Sequence, residues 1–248
     1  MKHKKRNLFL ATMVSLAVSS NGATLFTENF SDNSASPNMA LGTGHGSPTT
    51  DFTGDFTVTS GTGSRIYLGT NDTNYNTIDF TFEADVTYVN NNAWGIAFFG
   101  MGSSNANTSQ FGEPTAGPVI AMALRTDDTG GLGNVTGRDN SPAGSNQGIT
   151  GMTIGLPSTH GMRMDWNATT MLATFMFDLD NDGTYEPART FTLNGADNGF
   201  TASNSRLFVG GGFGVTFDNI SVISPIPEPS AALLGGLGVL GLLRRRRM

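Results

Sequence analysis

The chain has 248 residues and no cysteine, so no disulfide stabilises it in any compartment. Its formal charge of −6 hides an asymmetry, because Lys2, Lys4, Lys5 and Arg6 sit at one end and Arg244, Arg245, Arg246 and Arg247 at the other. In the body, with Glu228 counted to the tail, six arginines face nineteen acidic residues, a formal charge of −13, which repels nucleic acid and anionic lipid and favours divalent cations and neutral partners.

Residues 1–23 read as a secretory signal peptide and signal helix. A basic start (Lys2 to Arg6) leads into an apolar run, Leu8 to Val18, and then into small polar residues. A cut after Ala23 puts Asn21 three residues before the bond. Cuts after Ser19 or Ser20 put the smaller or more apolar Ala17 or Val18 there.

From Thr24 the vocabulary turns to Thr, Asn, Gly, Ser and Phe, which suits strands and turns. Leu25–Phe30 reads as the first strand, followed by a Gly/Ser/Pro-rich loop to about Thr50. Phe56–Ser60 and Arg65–Gly69 read as a hairpin around Gly61-Thr-Gly. Residues 77–89 alternate, with Ile78, Phe80, Phe82, Ala84, Val86 and Tyr88 on one face and Asp79, Thr81, Glu83, Asp85 and Thr87 on the other. Asn90-Asn-Asn then turns the chain into an apolar strand, Ala93–Gly100. Val119–Arg125 follows a long loop, and residues 127–148 carry no core-forming pattern. Ile149–Ile154, Gly161–Trp166, Leu172–Asp178, Ala188–Leu193, Arg206–Val209 and Gly214–Ile223 complete the body, expected to span 24–224.

About ten strands without βα alternation predict an all-β, antiparallel β-sandwich. The run Phe80-Thr-Phe-Glu-Ala-Asp-Val-Thr-Tyr, then Trp94-Gly-Ile-Ala-Phe-Phe-Gly, with a closing Val215-Thr-Phe-Asp-Asn-Ile-Ser-Val, resembles the laminin-G-like and concanavalin-A-like jelly rolls. Smaller carbohydrate-binding jelly rolls share the closing pattern. That resemblance implies a glycan- or surface-binding module.

Asp178-Leu-Asp180-Asn-Asp182-Gly-Thr184-Tyr-Glu186 has the alternate carboxylates and the glycine of a calcium loop. It departs from the EF-hand at position twelve, which is Arg189, and its flanks read as strands. A calcium loop on a hairpin would use Asp178, Asp180, Asp182, the Thr184 carbonyl and Glu186; an ordinary Asx turn is the alternative. Glu28 and Asp218, in the first and last strands, resemble the acidic pair that holds a structural calcium in several carbohydrate-binding jelly rolls; two solvated strand carboxylates are the alternative.

No catalytic residue set stands out, and the body is expected to be non-enzymatic. His45 and His160 sit beside glycines without an evident partner. Glu83-Ala-Asp85 begins the E-x-D-x-x-E pattern of concanavalin-like glucanases, but Tyr88 stands where the second glutamate belongs. Among Trp94, Trp166, Tyr67, Tyr75 and Tyr185, Trp166 is the better candidate for an exposed platform for a sugar ring, because Asp165 and Asn167 flank it at a strand end; partial burial at the core edge is the alternative.

The tail has three parts in order: Pro227-Glu228-Pro229, the uncharged run Ala231–Leu243, and Arg244–Arg247. Thirteen helical residues reach about 20 Å, short of the ~30 Å bilayer core. The arginines would remain on the cytoplasmic side. This tail resembles the PEP-CTERM sorting signal of Gram-negative bacteria. The resemblance implies export, recognition by an exosortase and transient anchoring in the inner membrane by a short C-terminal hydrophobic helix. Release to the outer surface or the extracellular matrix would follow. A structural protein of an exopolysaccharide matrix with no specific ligand is the alternative to glycan binding, and a degenerate glycoside hydrolase is the third reading.

Overall fold

The computed structural model describes residues 22–42, 44, 46–59, 63–88, 96–102, 119–125, 134–138, 147–149, 159–192 and 199–225. In chain order the strands are β1 (Ala23–Glu28), β2 (Met39–Leu41), β3 (Thr50–Asp51), β4 (Phe56–Val58) and β5 (Arg65–Thr70). Next come β6 (Phe80–Tyr88), β7 (Ile96–Gly102), β8 (Val119–Arg125), β9 (Asn134–Arg138) and β10 (Gln147–Ile149). The last five are β11 (Thr159–Asn167), β12 (Leu172–Asp178), β13 (Glu186–Thr192), β14 (Arg206–Gly212) and β15 (Val215–Ser224). A 3-10 turn at Tyr75–Thr77 is the sole helical element among the described residues.

Two antiparallel sheets form. Sheet A runs β13-β12-β11-β6-β15-β4-β3, with β1 also paired to β15; sheet B runs β10-β9-β8-β7-β14-β5-β2. The all-β, antiparallel sandwich expected from the sequence is therefore the observed architecture. The body occupies Gly22–Pro225, two residues earlier and one later than expected. The signal helix, the C-terminal hydrophobic helix and Pro227, Glu228 and Pro229 lie outside the described residues. Among the described residues no helix is long and apolar enough to cross a membrane.

Three expectations about strands change. The hairpin between Phe56–Ser60 and Arg65–Gly69 does not exist, because β4 pairs with β15 and β3 in sheet A while β5 pairs with β14 and β2 in sheet B. A Gly-rich connection fits a sheet-to-sheet crossing as well as a tight turn, so local composition cannot separate them. The loop before Thr50 contains β2, which borrows its hydrogen bonds from β5. The stretch 127–148 contains β9 and the start of β10 at the edge of sheet B.

The core lies between the sheets. From sheet A it takes Phe80, Phe82, Ala84, Val86 and Tyr88 of β6, Met162, Met164 and Trp166 of β11, and Phe175 and Phe177 of β12. From sheet B it takes Phe99, Met101, Ile120, Met122, Leu124, Leu207 and Val209. Phe99 meets Phe175 and Phe177 edge-on, with centroids 5.3 and 6.1 Å apart. Each such ring contributes about 1.5–3 kcal/mol through burial, with a smaller increment from the edge-to-face contact. The Tyr88 hydroxyl donates to the Leu124 carbonyl at 2.7 Å and so ties the two sheets together. Burial pushes that phenol far above its usual range.

Sheet B also buries its other face. Tyr67, Ile96, Phe98, Val119, Ala121, Ala123 and Phe208 form a second apolar cluster there. Continuous apolar strands such as Ile96-Ala-Phe-Phe-Gly-Met-Gly are the sequence signature of a strand buried on both faces.

Candidate functional site

Period-two alternation sends every second residue of β6, β11, β12 and β15 to the outer face of sheet A. The register lines up Asp178 of β12, Gly161 of β11, Asp85 of β6 and Asp218 of β15 across that face. The next row holds Met176, Arg163, Glu83 and Ser221, and the row after it Thr174, Asp165, Thr81 and Ile223.

Gly161 creates the opening in this face. Asp178 and Asp85 are two strands apart, about 10 Å, with no side chain between them. Tyr185, from the β12–β13 loop, folds back into that gap. A Cβ at position 161 would lie 2.8 Å from the Tyr185 hydroxyl and 3.0 Å from its ring carbons, so a larger residue there would push the ring off the sheet. Tyr185 stays half-buried, and the Arg163 guanidinium lies 5.7 Å from its ring centroid.

Charge is unevenly compensated around the ring. Arg163 makes a two-point contact with Asp165, Nε to Oδ1 at 3.0 Å and Nη2 to Oδ2 at 3.2 Å. It reaches Glu83 only through Nη1, at 3.4 Å. Thr81 also donates to Asp165, at 2.8 Å. Burial raises the Glu83 carboxyl above its usual value; Arg163 opposes that, and Asp165 and Asp85 add to it. Burial also pushes the Tyr185 phenol up to about 12, helped by Glu83, Asp85 and Asp178 and opposed by Arg163. Arg163 loses something to burial, but the bond to Asp165 holds its pKa above the usual value. Asp85 accepts from the Asn219 side-chain amide at 2.8 Å, where β15 bulges between Asp218 and Ser221.

The loop that carries Tyr185 also carries the acidic motif. Carboxylate oxygens of Asp178, Asp180 and Asp182 all lie within 4.8 Å of one another. Asp178 is only 4% exposed and accepts from the Asp182 and Gly183 amides at 3.1 and 2.8 Å. Asp182 accepts from the Thr184 amide at 2.7 Å. Asn181 and Gly183 take left-handed φ of 59° and 86°. These are the bonds of an Asx-type turn, and they leave lone pairs on all three carboxylates. The donor set is all oxygen and suits a hard cation such as calcium. Glu186 stands outside the trio, exposed at the start of β13 opposite Phe177.

Two expected sites come out differently. Glu28 and Asp218 leave sheet A on opposite faces. Glu28 follows Phe26 inward and is 8% exposed; it accepts from the Phe30 amide at 2.6 Å and from the Ser36 amide. Asp218 points outward, opposite Asp85. Glu28 therefore anchors the loop after β1 and does not pair with Asp218. Beside it a shallow cavity of about 310 Å³ is lined by Thr27, Asn29, Asn219 and Ser221 among others.

Trp166 is no exposed platform. It is 3% exposed, sits in the core in phase with Met162 and Met164, and donates its ring N–H to the Asn76 carbonyl at 3.3 Å. Alternation in Gly161-Met-Arg-Met-Asp-Trp carries that information: Gly161, Arg163 and Asp165 take one face and Met162, Met164 and Trp166 the other. The same reading finds Arg163 and Asp165, which flanking composition alone misses. Of the other aromatics, Tyr67 and Tyr75 are buried, Tyr185 is half-buried, and Trp94 lies outside the described residues. His160 has a partner: fully buried, its Nδ1 lies 2.8 Å from the Leu179 carbonyl, and its ring meets Tyr88 edge-on. His45 lies outside the described residues.

Residues 225–247 match the PEP-CTERM protein-sorting motif, which implies an exported protein sorted by an exosortase. No curated protein sequence matches the chain. Among solved structures the body is similar to the VIP36 exoplasmic/lumenal domain in its Ca2+/Man-bound form, at 11% identity and TM-score 0.56, covering 80% of this chain and 88% of that one. It is similar to the winged bean acidic lectin complexed with methyl-α-D-galactose, at 13% identity and TM-score 0.57, covering 82% and 99%. It is also similar to lectin II from Ulex europaeus, at 14% identity and TM-score 0.53, covering 84% and 100%. These likenesses show the fold, a legume-lectin or concanavalin-A-like β-sandwich.

Proposed function

We propose that the protein acts outside the cell as a non-catalytic binder of neutral glycans, through the outer face of sheet A around Tyr185. The observation that carries this reading is the half-buried Tyr185 ring laid over Gly161 and bordered by Glu83, Asp85 and Arg163. A pyranose offers an apolar C–H face and a rim of hydroxyls. An aromatic ring takes the first, and carboxylates with a guanidinium take the second. The acidity of the face favours neutral sugars over anionic ones. Lectin-like neighbours bound to mannose and galactose make a glycan ligand the natural one to test.

The acidic loop fits the same reading. Calcium on Asp178, Asp180 and Asp182 would lock the turn that presents Tyr185, and it would offset a dense patch of negative charge. A non-catalytic role is supported by Tyr88: the third position of the hydrolase pattern points into the core, away from Glu83 and Asp85. The tail supports a precursor held briefly in the inner membrane, processed by an exosortase and released to the outer surface or matrix.

The test is a glycan array run with calcium and with EDTA on the exported protein and on Tyr185→Ala. Binding of neutral glycans that Tyr185→Ala abolishes is expected. No binding by a folded protein would favour the ligand-free matrix role. For the tail, Glu228→Ala is expected to leave full-length precursor in the inner membrane, read by fractionation. Normal release of that variant would remove the exosortase from the account.

A further inference from the structure

One edge of β15 is shared by two strands that do not meet. β6 pairs along the opposite edge. On the shared edge β1 takes residues 220–224 and β4 takes Thr216 and Phe217. Asp218 and Asn219 fall between them, with no described strand beside them on that edge. The bulge of β15 lies at the same place, and Asn219 takes a left-handed φ of 49°. β1 stops at Glu28, and the chain then turns at Phe30, whose φ is 51°. These departures leave a cavity of about 310 Å³, at the lower end of the ~300–1,000 Å³ range of ligand clefts.

The cavity opens on the outer face of sheet A and adjoins the Tyr185 site. Thr27 is opposite Ser221, Ser221 opposite Glu83, and Glu83 opposite Arg163, in one row across four strands. Asn219 donates its side-chain amide to Asp85 at 2.8 Å. Glu83 and Asp85 therefore stand between the cavity and the ring. The polar lining is made of the Thr27 and Ser221 hydroxyls and the Asn29 and Asn219 amides, groups that both donate and accept. The one charged lining residue, Glu28, already uses both carboxylate oxygens on the Phe30 and Ser36 amides. The lining thus offers no cation for an anionic ligand and no carboxylate cluster for a metal. It suits the hydroxyl rim of a neutral sugar.

We propose that this cavity is a second sugar subsite, so that the ligand of the sheet A face is a neutral oligosaccharide laid across the strands. One unit would sit on Tyr185 and another in the gap between β1 and β4, with Glu83 and Asp85 accepting from hydroxyls between them. This rests on the reading of Tyr185 as a glycan platform. Gly161, under the ring, lies two strands from β15, about 10 Å, and the cavity lies on the far edge of β15. That span exceeds one sugar ring and is within reach of a short oligosaccharide.

The experiment titrates the exported protein with ladders of mannose, glucose and galactose oligomers, from monosaccharide to tetrasaccharide. Two variants accompany it. Asn219→Gly removes the amide and keeps the left-handed backbone, and Thr27→Phe fills the cavity from an exposed strand position. Thermal unfolding checks that both fold. In at least one ladder, affinity is expected to rise about tenfold or more between monosaccharide and tetrasaccharide, as two or more added hydrogen bonds would give. Both variants should cancel the rise and leave the monosaccharide Kd unchanged. A flat ladder, with binding that Tyr185→Ala still abolishes, overturns the second subsite and keeps the Tyr185 reading. A rise that persists in both variants places the added units elsewhere and also overturns it. No binding of any ladder overturns both.

Discussion

The outer faces of the two sheets differ although both sheets face the same core. Outside sheet B lies a second apolar layer of Tyr67, Ile96, Phe98 and Phe208. Outside sheet A lie Glu83, Asp85, Arg163, Asp165 and Asp178, with Tyr185 laid across them. One face is built like an interior and the other is acidic and open to solvent. A sandwich needs only one core, so stability can be concentrated in sheet B and the inter-sheet space, leaving sheet A's outer face free to carry chemistry.

The largest expected effect breaks this comparison most easily. Phe98→Ala in the second layer should cost about 3–5 kcal/mol, as a buried ring does, and Trp166→Ala should cost a similar amount. Tyr185→Ala should cost far less, since its ring is half-buried on the outer face. Urea unfolding of the three variants checks this. Equal losses for Tyr185→Ala and Phe98→Ala would make the two faces alike.

A smaller effect concerns the acidic loop. At a hundredfold excess over its Kd, calcium would add about 2.7 kcal/mol, several degrees in Tm for a body of this size. Asp180→Ala should remove the rise. Thermal unfolding with EDTA and with millimolar calcium measures both, and no shift in the wild type would leave residues 178–186 as an Asx turn.

The smallest effect is electrostatic. Glu83 has a raised pKa in the fold, so between its unfolded and folded values the native state binds more protons than the unfolded one. Stability from this group is then greatest at acid pH and falls as pH rises through that window. Glu83→Gln should raise Tm slightly at neutral pH, by no more than about 2 °C, and leave it unchanged well below the carboxylate range. A loss of stability at neutral pH would mean that the 3.4 Å contact with Arg163 outweighs the burial and the like charges.

Much of this was legible in the sequence, for reasons that differ by region. β6 and β12 declare themselves by alternation or by length, and β12 has the expected bounds. The acidic hairpin is visible because its spacing is local. The hairpin assigned across Gly61 failed because pairing partners are non-local: β4 and β5 find theirs in β15 and β14, about 140–160 residues away. The polar neighbours of Trp166 do not signal its exposure, because in a strand adjacent residues point the opposite way. Tyr185 was visible only as one aromatic of five, since its position depends on Gly161 in another strand.

The most direct measurement is amide NMR of the isotopically labelled mature protein, titrated with a mannose oligosaccharide or other array hit in the presence of calcium. Shifts concentrated at Thr81 to Asp85, Gly161 to Asp165 and Asp178 to Tyr185 are predicted. Shifts confined to sheet B, or undiminished binding by Tyr185→Ala, would contradict a recognition face on sheet A.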